Sequence, residues 1–545
     1  MPSIDGFIEG SNTSLAHYGL VAGAYDKLEI GELIDELIPK TKSHIVTHGQ
    51  IVKSLVINGL AFIDRRLYLH PVFFKDVPTE RFFGKGIEPG HFNDDTLGRT
   101  LDRIYEYGPT ELFNQIVIKR LLKDDYGIHC IHVDTTNFSV YGDYDSNFDS
   151  RNMEITFGHP KDGRNDLKRF VLGMASDNRG VPVFLQTFSG NESDKKAIIE
   201  MIDKLRKNLI SSHKVYHIAD NAFYTKANLQ EMGDHTFWIS RVTNSIGEAK
   251  EFLSLDETLQ ECEDNRYSYA EKISDYAGIK QKWVLYSSNE MQKQKLKKYE
   301  IMLQKNILDE TKSLKKMKAR EFACEADAFQ EAEKWISERR RYRYSSIEVC
   351  PVSKRNDGKK GRPKKDECLF QVYKIRAEIE HDPEFVKTEK SKLGRFILAT
   401  NDDKMDPDTL LSEYKNQYKV ERGFRFLKDK SFRIGEVFLK KESRIQALAM
   451  IMVLCLFIYS LVEFELRKKL QDSKETVTSQ TNKQTERPTL KWVFFGFRRV
   501  RELRFSVEGQ TKIVITNMEE ELWKILRLMG RDYEKYYFPK FCCGM

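Results

Sequence analysis

Apolar residues recur every three to four positions in IVKSLVINGLAFIDRRL (51–67) and again in DDTLGRTLDRIYEYG (94–108), the spacing that lines one face of an α-helix. Asn93, Asp94 or Asp95 stands where the second of these helices needs a cap, and Pro109 stands where another would begin. Residues 1–125 are therefore expected to form an all-α N-terminal domain, a possible site of DNA end binding or an ordinary helical bundle. Near residue 127 the period shortens to two. HCIHVDTTNFSVYG, MEITFGHP and RFVLGMASDNRGVPVFLQTFSG read as strands, the last a hairpin turning through Asp177, Asn178, Arg179 and Gly180. An amphipathic helix capped by Ser193 follows, then a strand in KVYHIADNAF, a helix in YTKANLQEMG and a strand in HTFWISRVT.

Antiparallel strands followed by alternating helix and strand predict an α/β fold, a mixed sheet flanked by helices in the order of a ribonuclease-H-like domain. Residues 126–242 would form its first part. A long polar and basic stretch, 243–392, interrupts the pattern and reads as an insertion domain before GRFILATND resumes an apolar strand. Residues 393–470 would then complete the catalytic domain, with a helix from Pro407 to Lys428 capped by Asp406 and a nearly all-apolar helix around Ala447–Val462. The polar segment 471–490 reads as a linker or exposed loop, and 491–545 as a small C-terminal unit.

Composition narrows the class. Hydrophobic residues make up 40% and aromatics 12% of the 545 residues, which is the make-up of a folded protein with several domains. The 89 basic and 82 acidic residues nearly cancel, so clustering of charge matters more than the net +7. Eight scattered cysteines form no Cys-x-x-Cys pair and read as reduced thiols. The run Ala447–Val462 is shorter than the roughly 20 residues of a membrane span and reads as core. With no basic and apolar leader in MPSIDGFIEG, a cytoplasmic protein is expected, nucleoid-associated when bound to DNA.

Asp134 ends the apolar run IHCIHV and Asp220 ends KVYHIA, so each carboxylate is expected at or near the end of a buried strand. Neighbouring strands lie about 4.8 Å apart, close enough for two such carboxylates to share a divalent cation. Hard oxygen ligands suit Mg²⁺, with Mn²⁺ as a substitute. Taken singly, each Asp is more simply a strand-end turn residue; the pair favours a metal site. Two-metal phosphoryl chemistry requires a further carboxylate. Glu421 is the candidate, because Tyr414, Glu421 and Lys428 are seven residues apart and would share one side of a helix, with Gln417 and Arg425 beside them.

These residues resemble the DDE transposases of bacterial insertion sequences whose glutamate helix reads Tyr, two residues, Arg, three residues, Glu, six residues, Lys. Tyr414, Glu421 and Lys428 match, and Gln417 stands where the pattern has Arg. The likeness extends through VDTTNFSVYG, GHPKDGRNDLKRFVLGMASDNRGVPVFLQTFSGNESD, IADNAFYTKANL and GRFILATND, with 421 − 220 = 201 residues from second aspartate to glutamate. It implies metal-dependent cleavage and strand transfer of the chain's own element, with Asp134, Asp220 and Glu421 as catalytic and metal-binding residues. Double-stranded DNA, at element ends and target, would be the partner of a homodimer. Tyr414, Arg425 and Lys428 would contact DNA near the reacting phosphate, and Lys161, Arg164 and Lys168 of the basic stretch GHPKDGRNDLKR would position the duplex. In KRNDGKKGRPKK, Arg362 sits in a segment similar to a minor-groove hook, and a basic loop is the plainer reading. Trp238 and Trp335 could stack on an unpaired base, with core packing the plainer reading of both. The alternatives are a ribonuclease-H-like nuclease without strand transfer and a catalytically silent DNA-binding protein of transposase origin.

Overall fold

The computed structural model of the chain describes residues 8–40, 45–62, 69–121, 127–142, 144, 153–159, 163–208, 214–233, 236–255, 258–355, 369–429, 441–507 and 510–538. Residue contacts divide it into two compact units, Met1–Ser240 with Leu411–Met545, and Arg241–Leu410.

The first unit opens with strand β1 (Ile8–Ser14) and then runs through α1 (Tyr18–Lys27), α2 (Ile30–Leu37), α3 (His48–Leu60), α4 (His70–Phe74), α5 (Thr79–Phe83), α6 (Asp94–Tyr107) and α7 (Pro109–Leu121). Local signals set the boundaries. Thr47 and Gln50 form a capping box on α3, and the Asn93 side chain accepts the Thr96 N–H at the start of α6. Gly108, at φ 107°, ends α6 in a conformation that glycine adopts without penalty, and Pro109 opens α7. Ile51, Val52, Leu55, Val56 and Leu60 of α3 are buried, and the helix packs on α1, α2 and α6.

The sheet that follows has the order β4-β3-β2-β5-β6, formed by β2 (Cys130–Val140), β3 (Lys168–Asp177), β4 (Pro182–Ser189), β5 (Tyr216–Ala219) and β6 (Phe237–Arg241). β2, β3 and β4 are antiparallel neighbours, whereas β5 and β6 run parallel to β2. This is the ribonuclease-H-like mixed sheet expected from the period change. Helices α8 (Asp194–Asn208) and α9 (Lys226–Met232) make the connections to β5 and β6. The strand expected in MEITFGHP shrinks to one bridge, Thr156 with Arg169. β4 pairs with β3 from Phe170 onward, so only the start of that edge is open to another segment.

The second unit comprises α10 (Gly247–Leu253), β7 (Gln260–Glu261), β8 (Ser268–Ser274), β9 (Gln281–Ser287), α11 (Asn289–Lys318), α12 (Glu325–Ser337), β10 (Tyr342–Arg355), β11 (Leu369–His381), α13 (Pro383–Lys392) and β12 (Arg395–Thr400). Strands β7, β8, β9 and β12 pair antiparallel in that order. β10 and β11 form a long ribbon covered by α11 and α12 around Leu314, Met317, Ala328, Ala332, Ile375 and Ala377. Trp335 packs against this cluster and stacks on Tyr344, a core role. Trp238, in the first unit, is wholly buried.

The remaining elements are α14 (Pro407–Lys415), α15 (Tyr418–Leu427), α16 (Glu442–Ser473), β13 (Val477–Thr478), β14 (Gln484–Thr485), α17 (Leu490–Phe497), β15 (Arg501–Val507), β16 (Gln510–Thr516), α18 (Glu520–Met529) and α19 (Arg531–Glu534). The helix expected from Pro407 to Lys428 is two helices. Asn416 N–H donates to Glu413 O and Gln417 N–H to Tyr414 O, both at 3.1 Å, and these three-residue bonds tighten the chain between α14 and α15. α16 is the one described helix long and apolar enough to cross a membrane, and 89% of its most apolar window is buried inside the protein. It is apolar all round because it is a core helix, packed on α1, α3, α6, α7 and β4. The polar segment read as a linker forms the β13–β14 hairpin. Trp492 Nε1 donates to Thr478 O at 2.8 Å, and Glu521 accepts the Thr478 N–H at 2.7 Å.

The N-terminal region departs from the all-α expectation in one respect. β1 pairs with β15, which pairs with β16, so the first strand belongs to a sheet built mainly from the C-terminal segment.

Candidate active site

Asp134 is the fifth residue of β2, and Asp220 is the first residue after β5. The two strands run parallel with Cys130, Ile131 and His132 opposite Tyr216, His217 and Ile218. Carried two residues further, that register sets Asp134 beside Asp220, on strands about 4.8 Å apart. Both are half-buried. Asp134 Oδ1 accepts the Thr135 N–H at 2.7 Å, and Asp220 Oδ1 accepts the Ala222 N–H at 2.8 Å. The backbone at Asp220 is held as well, because its carbonyl accepts the Ser240 hydroxyl at 2.9 Å and the Phe223 N–H at 3.2 Å.

Alternation along β2 puts Asp134, Thr136 and Phe138 on one face, with Met174, the cross-strand partner of Asp134, on the same side. Helix α15 lies on that face. A Cβ at Gly423 would stand 2.9 Å from Met174 Cε and 3.0 Å from Leu456 Cδ2 of α16, so only glycine permits this approach without displacement. Lys428 Nζ lies 5.6 Å from the centre of the Phe138 ring. α15 therefore turns Gly423 toward β3 and Lys428 toward β2. Glu421 is two turns before Lys428 and so projects on the same flank of α15 as that lysine. The other sheet face carries α8: Thr135 donates to Asp194 at 2.6 Å, and Gly173 abuts Met201. Asp134 thus lies on the sheet face that α15 covers, and Glu421 and Arg425 are exposed on that helix.

The other residues singled out from sequence are placed unevenly. Tyr414 lies on α14, half-buried, before the tightened turn, so one continuous helix no longer aligns it with Glu421 and Lys428. Gln417 is buried, with 8% exposure. Lys168 starts β3, and its ammonium donates to Tyr144 O. Arg164 pairs with Asp166 through two bonds of 2.8 and 2.7 Å and stands over the Tyr141 ring at 6.0 Å. Arg169 is wholly buried and holds the loop from below by donating to Arg164 O and Leu167 O at 2.7 and 3.1 Å. Because Val140 pairs with Lys168, this basic loop lies off the carboxyl end of β2, the end at which Asp220 leaves β5. Lys161 and Arg362 lie outside the described residues.

Three neighbours had no separate signal in the sequence. The Phe138 ring lies 5.6 Å from the Lys428 ammonium, and only strand parity with Asp134 would have pointed to it. His132 is buried on the same face, and burial pushes its imidazole down to about 3, so it is neutral at physiological pH. Lys419 donates to Asn178 O at 2.6 Å and ties the start of α15 to the β3–β4 turn. Gly180, at φ 84°, leaves room there for the Lys419 side chain.

A mixed β4-β3-β2-β5-β6 sheet, with two aspartates level on its central parallel pair and a glutamate helix above them, defines a ribonuclease-H-like protein. The transposase DDE domain family matches residues 129–458, more than half of the chain, and the protein belongs to that family. A second family, a domain of unknown function (DUF4277), matches residues 10–118, the helical N-terminal region. No curated protein matches the chain. The DDE match begins one residue before β2 and ends within α16, so it includes Asp134, Asp220 and Glu421. Transposases of this family act on DNA and use divalent metal ions. By chemistry the three residues fit such an ion, since all are carboxylates, hard oxygen ligands of the kind Mg²⁺ and Mn²⁺ take, but their oxygens do not all lie within 4.8 Å of one another in this structure, so closing on an ion would require them to approach.

Proposed function

We propose that the chain cleaves DNA at the ends of its own insertion sequence and joins the exposed 3′-hydroxyl to target DNA, with Asp134, Asp220 and Glu421 as the catalytic carboxylates. The observation that carries this reading is the register of β2 on β5, which sets Asp134 level with Asp220 beneath the helix flank bearing Glu421. These carboxylates would hold Mg²⁺, or Mn²⁺ in its place, which when bound activates the attacking oxygen and neutralises charge on the phosphodiester.

The protein's own groups orient and screen the reactants. The Thr135 and Ala222 N–H groups fix the rotation of the Asp134 and Asp220 carboxylates, so their outer oxygens keep one direction. Lys428 and Arg425 bring positive charge to the flank that carries Glu421 and would offset the scissile phosphate, with the Phe138 ring beside the lysine ammonium. Tyr414 would hydrogen-bond the DNA backbone. Lys161, Arg164 and Lys168 would contact phosphates beyond the carboxyl end of β2, and Arg362 would enter the minor groove. A homodimer on DNA, one protomer for each element end, completes the proposal.

The test uses duplexes carrying the element end. Asp134→Asn, Asp220→Asn and Glu421→Gln should each lose cleavage and strand transfer in Mg²⁺ or Mn²⁺ while still binding the end. Cleavage retained by any one of them overturns its assignment. Cleavage without joining by the unaltered chain would favour the nuclease reading, and end binding with neither activity the silent one.

A further inference from the structure

The opposite end of β2 holds a different group of side chains. His129 immediately precedes the strand, Cys130 opens it, and Glu413 reaches them from α14. One donor atom from each (imidazole nitrogen, thiol sulfur, carboxylate oxygen) lies within 4.8 Å of the other two. His129 Nε2 and Glu413 Oε1 are 3.4 Å apart. Cys130 is 1% exposed. Glu413 Oε2 is buried and has no hydrogen-bond partner among the described residues. His132, two positions along the same face of β2, is wholly buried with neither ring nitrogen partnered. Burying polar atoms this way is costly unless something satisfies them.

We propose that His129, Cys130 and Glu413 form a second metal site, suited to Zn²⁺, that clips α14 to the start of β2. Nitrogen, sulfur and oxygen ligands at about 2.0–2.3 Å from Zn²⁺ stand about 3.5 Å from one another in a tetrahedral site, so the cluster needs only a small contraction. A coordination position on the exposed His129 side remains open to water. The site lies on the same sheet face as Asp134 but at the other end of the strand: Cys130 precedes Asp134 by four strand residues, about 13 Å. Its chemistry is separate, because a thiol ligand selects a softer ion than the all-carboxylate set.

Burial and the Glu413 carboxylate push the Cys130 thiol well above its ordinary value, so in the metal-free protein it is protonated and donates to Glu413. On binding, the S–H bond breaks, a sulfur–zinc bond forms and one proton leaves to solvent, with no change of oxidation state. Lys419 is near enough to influence Cys130, but its ammonium is engaged with Asn178 O. Because α14 leads through the Asn416–Gln417 turn into α15, the clip would hold the Glu421 helix over the strand that carries Asp134.

The full-length chain, stripped of metal, would be titrated with Co²⁺ as a spectroscopic probe and then with Zn²⁺. The expected result is a near-ultraviolet thiolate-to-cobalt band saturating at one equivalent, displaced by Zn²⁺ and untouched by excess Mg²⁺. Cys130→Ser should lose the band, Glu413→Gln should weaken binding, and the Asp134→Asn, Asp220→Asn double variant should keep both. Zn²⁺ should also raise the melting temperature of the unaltered chain and of the double variant. Glu413→Gln, which keeps size and shape, serves if Cys130→Ser does not fold. Absence of a thiolate band from the unaltered chain, its persistence in Cys130→Ser, or unchanged affinity in Glu413→Gln overturns the site.

Discussion

Glu421 stands exposed on α15, whereas Asp134 and Asp220 are half-buried with backbone N–H groups on their carboxylates. Substitution should therefore have different structural costs at positions given the same chemical role. Glu421→Gln is expected to change the free energy of unfolding by less than about 0.5 kcal/mol, the range of ordinary surface changes, while cleavage is lost. Urea unfolding beside a cleavage assay checks this, and a large stability loss would mean that Glu421 supports the fold. Asp220 follows the end of β5 as its apolar run implied, whereas Asp134 lies inside β2 with six strand residues after it, because the alternating TTNFSV continues the strand past the apolar run. Glu421 was legible through helical spacing with Lys428. The Tyr414 part of that spacing failed, because hydrogen bonds around Asn416 and Gln417 depend on a local tightening that periodicity does not report.

At the scale of elements, the close contact of α15 with β3 and α16 depends on Gly423. Gly423→Val would drive a branched side chain into Met174 and Leu456, costing about 1–3 kcal/mol by overpacking. Because the helix would lift from the aspartate face, cleavage measured where the variant remains folded should fall by more than its unfolded fraction explains.

A second element contact joins α6 to α16. Arg444 donates two bonds of 2.7 Å to Asp102, and this hydrogen-bonded guanidinium holds the Asp102 carboxyl below its ordinary 3.8. A depressed folded value means stability that is present above the unfolded pKa and disappears as pH falls through the folded one. Asp102→Asn should therefore cost about 1 kcal/mol at pH 7, after allowing for partial exposure, and the gap from the unaltered chain should close below about pH 4. Parallel urea titrations at the two pH values measure it.

At the scale of the whole molecule, four buried histidines among the described residues are neutral in the fold, His132 among them. Burial pushes His17 and His217 down to about 4 and His70 to about 3, against 6.5 when unburied. Between those values the unfolded chain binds more protons than the folded one, so stability must fall as pH drops from about 6.5 toward 4. The urea midpoint is expected to be lower at pH 5 than at pH 7. His70→Phe should reduce that dependence, and an unchanged slope would show that His70 does not contribute.

By itself the sequence determined what short-range forces decide: the helical front end, the caps at Asn93 and Ser193, the strand–turn–strand hairpin, the mixed α/β order and the apolar core helix. Only tertiary structure decided what distant segments do to one another. β1 completes a sheet with β15 and β16, and the Tyr537 hydroxyl donates to Ala16 O across 521 positions. Neither pairing leaves a local periodic trace, because each half merely reads as a strand or an aromatic residue. The same holds for Glu413 beside Cys130 and for the two-residue extension that levels Asp134 with Asp220. Register and convergence are set by the complementarity of packed surfaces, a property of pairs of segments that neither segment carries alone.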